Sequence, residues 1–355
     1  MKKLLLLLLT LVYTHVSAQT IECDMHATGK PIIFSQKQKD SLKLTNAINA
    51  PYTVKIFVTV FADDNGTNRG ATDADILRQV QNMVNQYQPQ NICFILGGIR
   101  QVNNSDLNDH VKADEAAEVL PYRVSGFLNI FIHRSLPGLN GTAYGIPNTY
   151  LSLSGGAIAS LDNTSTLGHE MGHCLGLYHT FETWQGTNPE NVDRSGNCLN
   201  CSTAGDVLCD TPADDDGGVD INCNYIGGGT DACNVSYAPM TINMMGYGHR
   251  PCRSVFTTDQ RDRMHAFLTT DNSLSPLVAH DILYTPVFGN YTVSSGTSYT
   301  LAREMVYVSE GNANLTVNGT AQQFFQAKKV SLKSGTKFSP AAGGKVSVKS
   351  NPYCN

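Results

Sequence analysis

The residues best placed to do chemistry stand in one short run, His169-Glu170-Met171-Gly172-His173-Cys174-Leu175-Gly176-Leu177-Tyr178-His179. On a helix, His169 and His173 lie one turn apart and present both imidazoles to a single metal ion. Glu170, beside them, can reach a metal-bound water without ligating the ion. His179 would fall on the far side of a continuing helix, so the helix must stop. Gly176 supplies the break, because glycine adopts the left-handed backbone that turns a chain back on itself. Three neutral imidazoles leave one zinc position open, which is the arrangement of a catalytic rather than a structural site. The chemistry such a set supports is amide hydrolysis. The metal polarises the carbonyl and acidifies its water, while Glu170 takes the proton and hands it to the leaving amine.

The elements that must position this run can be read outward from it. In the 355-residue chain, 25 Lys and Arg face 30 Asp and Glu, a net charge of −5 without the basic surplus of a nucleic-acid binder. With 41% hydrophobic residues, 31 Gly and 14 Pro, it is a folded, loop-rich protein of about two units. Tyr52 to Phe61 places Val54, Ile56, Val58 and Val60 on one face and Phe57 and Phe61 on the other, a strand buried on both sides. A helix follows from Thr72, its cap, with Asp75 at the third helical position and Ile76, Val80, Val84 and Tyr87 as its buried stripe. Pro89 ends it. Asn91 to Leu96 reads as a strand closed by Gly97-Gly98, and Phe127 to His133 as another. Gly141 to Pro147 suits an edge strand, and Leu151 to Ile158 a turn with one more short strand. Asn163 or Thr164 opens the segment with the histidines.

The amino terminus points to export. Lys2 and Lys3 precede six leucines, Leu4 to Leu9, and Val16-Ser17-Ala18 offers small residues at a cleavage point, so residues 1–18 read as a signal peptide rather than a membrane span. No stable membrane span is expected once it is removed. Residues 19–50 read as a pro-segment or N-terminal arm. Of the ten cysteines, six fall between Cys198 and Cys252. In an exported chain these are better read as disulfides stapling a long loop than as a zinc ribbon. The sequence leaves their pairing open, and the oligomeric state as well.

The run HEMGHCLGLYH resembles the extended zinc signature of the metzincin metalloproteases, and Leu177 to Phe181 resembles their pappalysin branch, peptidase family M43. Asn243-Met244-Met245-Gly246-Tyr247 resembles that branch's Met-turn. The resemblance implies that Met245 floors the zinc ligands and that Tyr247 stabilises the tetrahedral intermediate; Met244 is the alternative inward methionine. Gly205 to Pro212 resembles an acidic segment that in the family can hold calcium, which implicates Asp206, Asp210 and Thr211, although a solvated acidic loop is the plainer reading. The implied fold is a metzincin-type α/β (α+β) zincin. It has a twisted mixed five-stranded sheet with helices, an irregular lower subdomain and a last helix, over residues 51–272. That last helix has its own signal, a capping box of Thr257 and Gln260 ahead of Met264, Phe267 and Leu268. Substrate, an extended protein or peptide segment, would add as a strand along residues 141–146. Arg250 or Arg253 would favour an acidic side chain, against the basic preference of some relatives. Cys23 is a candidate latency cysteine in a pro-segment, and a disulfide is its equal alternative.

From residue 273 to 355 short strands alternate with Gly and Asn turns, a small all-β domain. Lys329 to Pro340 resembles modules that end many exported bacterial proteins and direct secretion or surface attachment; a small sandwich capping the catalytic domain is the bland alternative. The expectation overall is a secreted zinc endopeptidase with one catalytic Zn²⁺ and a candidate Ca²⁺. A binding or adhesion protein with an inactive domain is the rival, and the intact Glu170 weighs against it.

Overall fold

The computed structural model describes residues 21–23, 31–35, 37, 38, 40, 41, 51–110, 115–183, 189–285, 290–309, 315–334, 336, 338, 340 and 342–353. The signal peptide of residues 1–18 lies outside the described residues. Six strands make the first sheet: β1 (Ile21–Cys23), β2 (Tyr52–Ala62), β3 (Ile92–Asn103), β4 (Leu128–His133), β5 (Leu139–Ala143) and β6 (Tyr150–Ser154). Their order is β1-β5-β6-β4-β2-β3, parallel throughout except for β5 against β6. Five of these form the expected mixed sheet, and the sixth, β1, comes from the N-terminal arm.

Hydrophobic burial fixes the layers. Val54, Ile56, Val58 and Val60 of β2 share one core with Ile76, Val80, Met83 and Val84 of helix α1 (Asp73–Tyr87) and with Leu167 and Met171 of α2 (Thr166–Cys174). On the other face of β2, Phe57 packs with Ile95 and Phe127, and Phe61 with Phe131. The Thr72 side chain caps α1 by accepting from the Asp75 backbone. Helix α3 (Thr258–Thr270) carries the full capping box between Thr257 and Gln260 and sets Met264, Phe267 and Leu268 into the same core.

One expectation needs correction, and one alternative drops out. β3 does not end at Gly97-Gly98 but continues to Asn103, its register against β2 shifting between Ile56 and Phe57. A Cβ on Gly98 would meet the Phe57 ring at 2.9 Å, so these glycines admit rings from neighbouring elements rather than ending the strand. The C-terminal domain is all-β but is not a sandwich. β7 (His280–Thr285), β8 (Tyr291–Val293), β9 (Thr297–Val308), β10 (Leu315–Val317), β11 (Gln322–Ala327), β12 (Lys329–Leu332) and β13 (Lys345–Ser350) pair only in parallel. Partners lie one coil apart: Tyr291 faces Leu315 and Met305 faces Lys329, 24 residues on in each case. This is a solenoid, each coil stacking on the last around Val306, Val308, Leu315, Val317 and Phe325. Among the described residues, no helix is long and apolar enough to cross a membrane.

The disulfides fall in the lower subdomain as expected: Cys198–Cys233, Cys201–Cys209 and Cys223–Cys252. Cys198 and Cys201 thus belong to different bridges, which removes the zinc-ribbon reading. Cys93 is also disulfide-bonded.

Candidate metal centre

Helix α2 carries His169, Glu170 and His173, all buried. Just past its end Gly176 takes φ +97°, and a Cβ there would run into the Phe267 ring. Both the left-handed backbone and the close approach of α3 therefore demand glycine. The reversal brings His179 back to the helix. Its Nε2 lies 3.1 Å from that of His173, whose Nε2 is in turn 3.2 Å from that of His169. A tetrahedron built on zinc–nitrogen bonds has an edge of about 3.3 Å, so the three nitrogens already stand at the spacing of ligands sharing one ion.

The outward-facing nitrogens fix these rings. His169 Nδ1 meets the Met244 carbonyl at 2.8 Å and His173 Nδ1 the Leu177 carbonyl at 2.8 Å. A carboxylate oxygen of Glu182 stands 3.5 Å from His179 Nδ1. Such partners select the tautomer that leaves Nε2 as acceptor and orient the ring. Burial and the neighbouring His173 push the His169 pKa well below its usual value, so this ring is held neutral, the form that ligates.

Met244 and Met245 are both fully buried beneath this group. Met245 is the one under the zinc helix at Gly172, where a Cβ would collide with its sulfur, while the Met244 sulfur sits 3.4 Å from such a Cβ at Gly168. Asn243 holds the turn: its Oδ1 accepts from the Met245 amide at 2.9 Å, and its amide group exchanges hydrogen bonds with Gln260 of α3. Glu182 and Asn243 escaped the sequence reading. Asn243 carries a signal in its place two residues before Met245 in the Met-turn run. Tyr247 sits with its ring 4.9 Å from His179 and 5.9 Å from His169.

Cys23 completes the cluster. Its sulfur and one nitrogen from each of His169, His173 and His179 lie within 4.8 Å of one another, and its thiol donates to Glu170 Oε2 at 3.3 Å. The Tyr247 hydroxyl donates to the Cys23 carbonyl. Cys23 is a buried thiol, not a disulfide partner. β1 places it there by pairing with β5, Cys23 opposite Gly141. A side chain at Gly141 would meet Glu170 Cγ at 2.8 Å, so glycine lets β5 pass close to the carboxylate. Cys174, the other buried thiol, has its pKa raised well above normal by burial and then by Glu170.

The acidic segment divides. Asp206 and Glu190 are buried together, each with a carboxylate oxygen lacking a hydrogen-bond partner, Asp206 Oδ2 and Glu190 Oε2. Burial raises both pKa values, that of Glu190 to about 7 against the opposing pull of its ion-pair partner Arg194, and acidic neighbours push each further. Thr211 hydrogen-bonds Asp206. Asp210 is exposed and committed elsewhere, accepting from Thr257 Oγ1 at 2.9 Å and the Asp259 amide at 2.8 Å at the start of α3. Arg253 is fully buried, bonded to Ser165 Oγ and the Gly246 carbonyl, and faces no substrate.

Residues 139–269 match the model of the peptidase M43 family, described as pregnancy-associated plasma protein-A. An extracellular metalloprotease of Colletotrichum graminicola is 30% identical over 244 residues, covering 62% of this chain and 78% of that protein. The chain belongs to the M43 peptidase family. An extracellular metalloprotease of Neurospora crassa is also 30% identical, over 61% of this chain and 75% of its own length. Among solved structures, mature mirolysin of Tannerella forsythia in complex with a cleaved peptide is similar at 20% identity, TM-score 0.47, covering 64% of this chain and 95% of that one. Family membership and the His/Cys cluster make this M43 peptidase a zinc-dependent metalloendopeptidase acting on proteins or peptides.

Proposed function

We propose that His169, His173 and His179 hold the catalytic zinc, that Glu170 is the general base and acid, and that the chain is made as a latent, exported precursor. The observation that carries this reading is the convergence of three Nε2 atoms 3.1–3.2 Å apart beside a buried carboxylate. When bound, zinc polarises the scissile carbonyl and acidifies a water. Glu170 then receives the water's proton and returns it to the leaving nitrogen. Tyr247, once released from the Cys23 carbonyl, donates its hydroxyl to the developing oxyanion, and Met245 supports the ligands from below. Cleavage of a denatured protein with zinc, with a chelator and by a Glu170→Gln variant tests the assignment; activity that survives the substitution would refute it.

Latency is supported by the position of Cys23. A thiolate among three imidazoles gives a closed, four-ligand set with no place for water, and β1 covers the β5 edge along which substrate would pair. The arm has a second hold: Ile32 donates its amide to the Tyr178 hydroxyl at 3.0 Å and accepts from Arg263 at 2.8 Å, while Phe34 packs edge-on against Phe267 at 5.0 Å. The disulfides and the extracellular relatives support export after removal of residues 1–18. In this reading residues 19–50 are the arm, 51–272 the catalytic domain and 273–355 the solenoid. Leu274 and Leu277 still pack into the catalytic core, which moves the working boundary to about residue 280.

Beside Tyr247 a small cavity is lined by Asp214, Asp216, Val219 and Tyr225. Burial, then Asp214 and Asp215, raise the Asp216 pKa to about 6, so a cationic side chain entering there would relieve carboxylate repulsion. The preference is therefore for a basic residue, the reverse of what Arg250 or Arg253 suggested. Asp206 and Glu190 with Thr211 supply oxygens suited to Ca²⁺, whose binding would offset the cost of two buried carboxylates; Asp210 drops out of that set.

A further inference from the structure

At the β3 edge of the sheet, a groove of about 870 Å³ runs between β3 and the solenoid. That volume lies within the range of true ligand clefts. β3 is the edge of the sheet opposite β1, and among the described strands it pairs only with β2. Near its start that edge is covered, since the Asn351 side chain donates to the Phe94 carbonyl at 3.1 Å. Further along, at Leu96 to Arg100, it opens into the groove. The rings of Phe127 and Phe57 cover Gly97 and Gly98 from the faces of the sheet, so a second backbone would approach this stretch in the plane of the sheet, along its edge.

The facing wall is one flat face of the solenoid. Tyr299, Phe324 and Ser347 stand opposite one another on successive coils. Tyr299 packs on Phe127 at 5.1 Å and stacks with Phe324 at 5.3 Å. The aromatic floor thus starts in the catalytic domain and continues out along the groove. Lys345 lies over the Phe324 ring at 5.4 Å, and both Lys345 and Lys349 are exposed. The charged residues lining the groove are Arg100, Lys345, Lys349 and Asp73; Asp73 is paired with Arg69, and Arg100 donates to Thr59 Oγ1 and the Tyr122 carbonyl, which leaves the two exposed lysines to set the sign. In a chain of net charge −5, this is a locally cationic channel with an unpaired sheet edge on one wall and aromatic rings on the other.

We infer that this groove is a substrate exosite that binds an extended, acidic segment of a protein substrate by strand addition to β3, with its carboxylates toward Lys345 and Lys349 and its apolar side chains on Tyr299 and Phe324. Backbone hydrogen bonds give such a site affinity and the alternate side chains give selectivity. The inference rests on the peptidase reading for its purpose, since β3 and β5 are four strand spacings, roughly 19 Å, apart and one unfolded substrate can engage both. Tethering at the groove raises the local concentration of the rest of the substrate at the metal site.

The test compares a denatured acidic protein with a short peptide, using enzyme freed of its arm and a Lys345→Glu/Lys349→Glu variant, both substitutions lying on the exposed surface. The expected result is a five- to tenfold rise in KM for the protein, kcat unchanged, and no change in kcat/KM for the short peptide. Equal losses on both substrates, or none on either, would overturn the inference. A second arm is independent of catalysis: calorimetry of an extended peptide alternating Glu with Val, titrated into the Glu170→Gln protein. Binding should weaken at least tenfold in the double lysine variant and with a backbone N-methylated peptide. If the peptide does not bind, or a sulfated polysaccharide binds and the peptide does not, the strand-addition site is refuted, whether or not the enzyme cleaves anything.

Discussion

The catalytic domain and the solenoid solve opposite problems with the same kinds of residue. In the solenoid every pairing among the described strands is parallel, partners recur at nearly constant separation, and the interior is mostly apolar, built on residues such as Val306 and Phe325. The catalytic domain departs from regularity where its chemistry lies. β5 runs antiparallel to β6, α2 breaks after Cys174 at a left-handed glycine, and three imidazoles and a carboxylate are buried where leucines would be more stable. Burying those groups costs stability, and a bound cation recovers it.

Substitutions can sharpen or break this contrast, and the largest effect is expected at Glu170. Glu170→Gln should lower kcat by at least about a thousandfold with zinc content and thermal unfolding preserved; a loss below tenfold would mean the proton is carried elsewhere. Gly176→Ala comes next. Its left-handed backbone and the Phe267 ring leave no space for a methyl group, so His179 should be displaced and zinc affinity should fall at least tenfold, read by competition with a chromogenic chelator. Phe325→Ala, in the solenoid core at 1% exposure, should remove about 3–5 kcal/mol from that region while short-peptide kcat/KM stays at wild type below the new melting temperature. If activity fell with it, the two regions would be one cooperative unit and the contrast would fail. Cys23→Ala in the precursor should raise basal peptidase activity severalfold, short of full release because Ile32 and Phe34 still hold the arm; a precursor as inactive as its parent would remove the cysteine from the latency account. The smallest effect is calcium-selective chelation, expected to lower the melting temperature by a few degrees through Asp206 and Glu190.

The same contrast explains what could be read in advance. Period-two and period-four burial placed β2, α1 and α3, and their caps at Thr72 and Thr257 were visible because capping is local chemistry. The gathering of His169, His173 and His179 was legible because their spacing and the Gly176 break have one helical explanation. Contacts made across long sequence separations were not. Cys23 reaches Glu170 from 147 residues away, Asp210 turns out to serve α3, and Glu190 meets Asp206 through a fold of the disulfide-bonded loop. The C-terminal region was legible as all-β but not as a solenoid, because short strands look alike whether their partners run parallel or antiparallel. The echo between Tyr291-Thr292-Val293 and Leu315-Thr316-Val317 was the available signal of its coil length.

Zinc stoichiometry, measured by elemental analysis on purified protein and on a His173→Ala variant, addresses the central claim most directly. About one zinc per chain is expected in the parent, retained in Glu170→Gln and lost in His173→Ala. A parent that binds no zinc after loading, or a His173→Ala protein that keeps its full complement, would contradict the assignment of residues 169, 173 and 179 as the metal site.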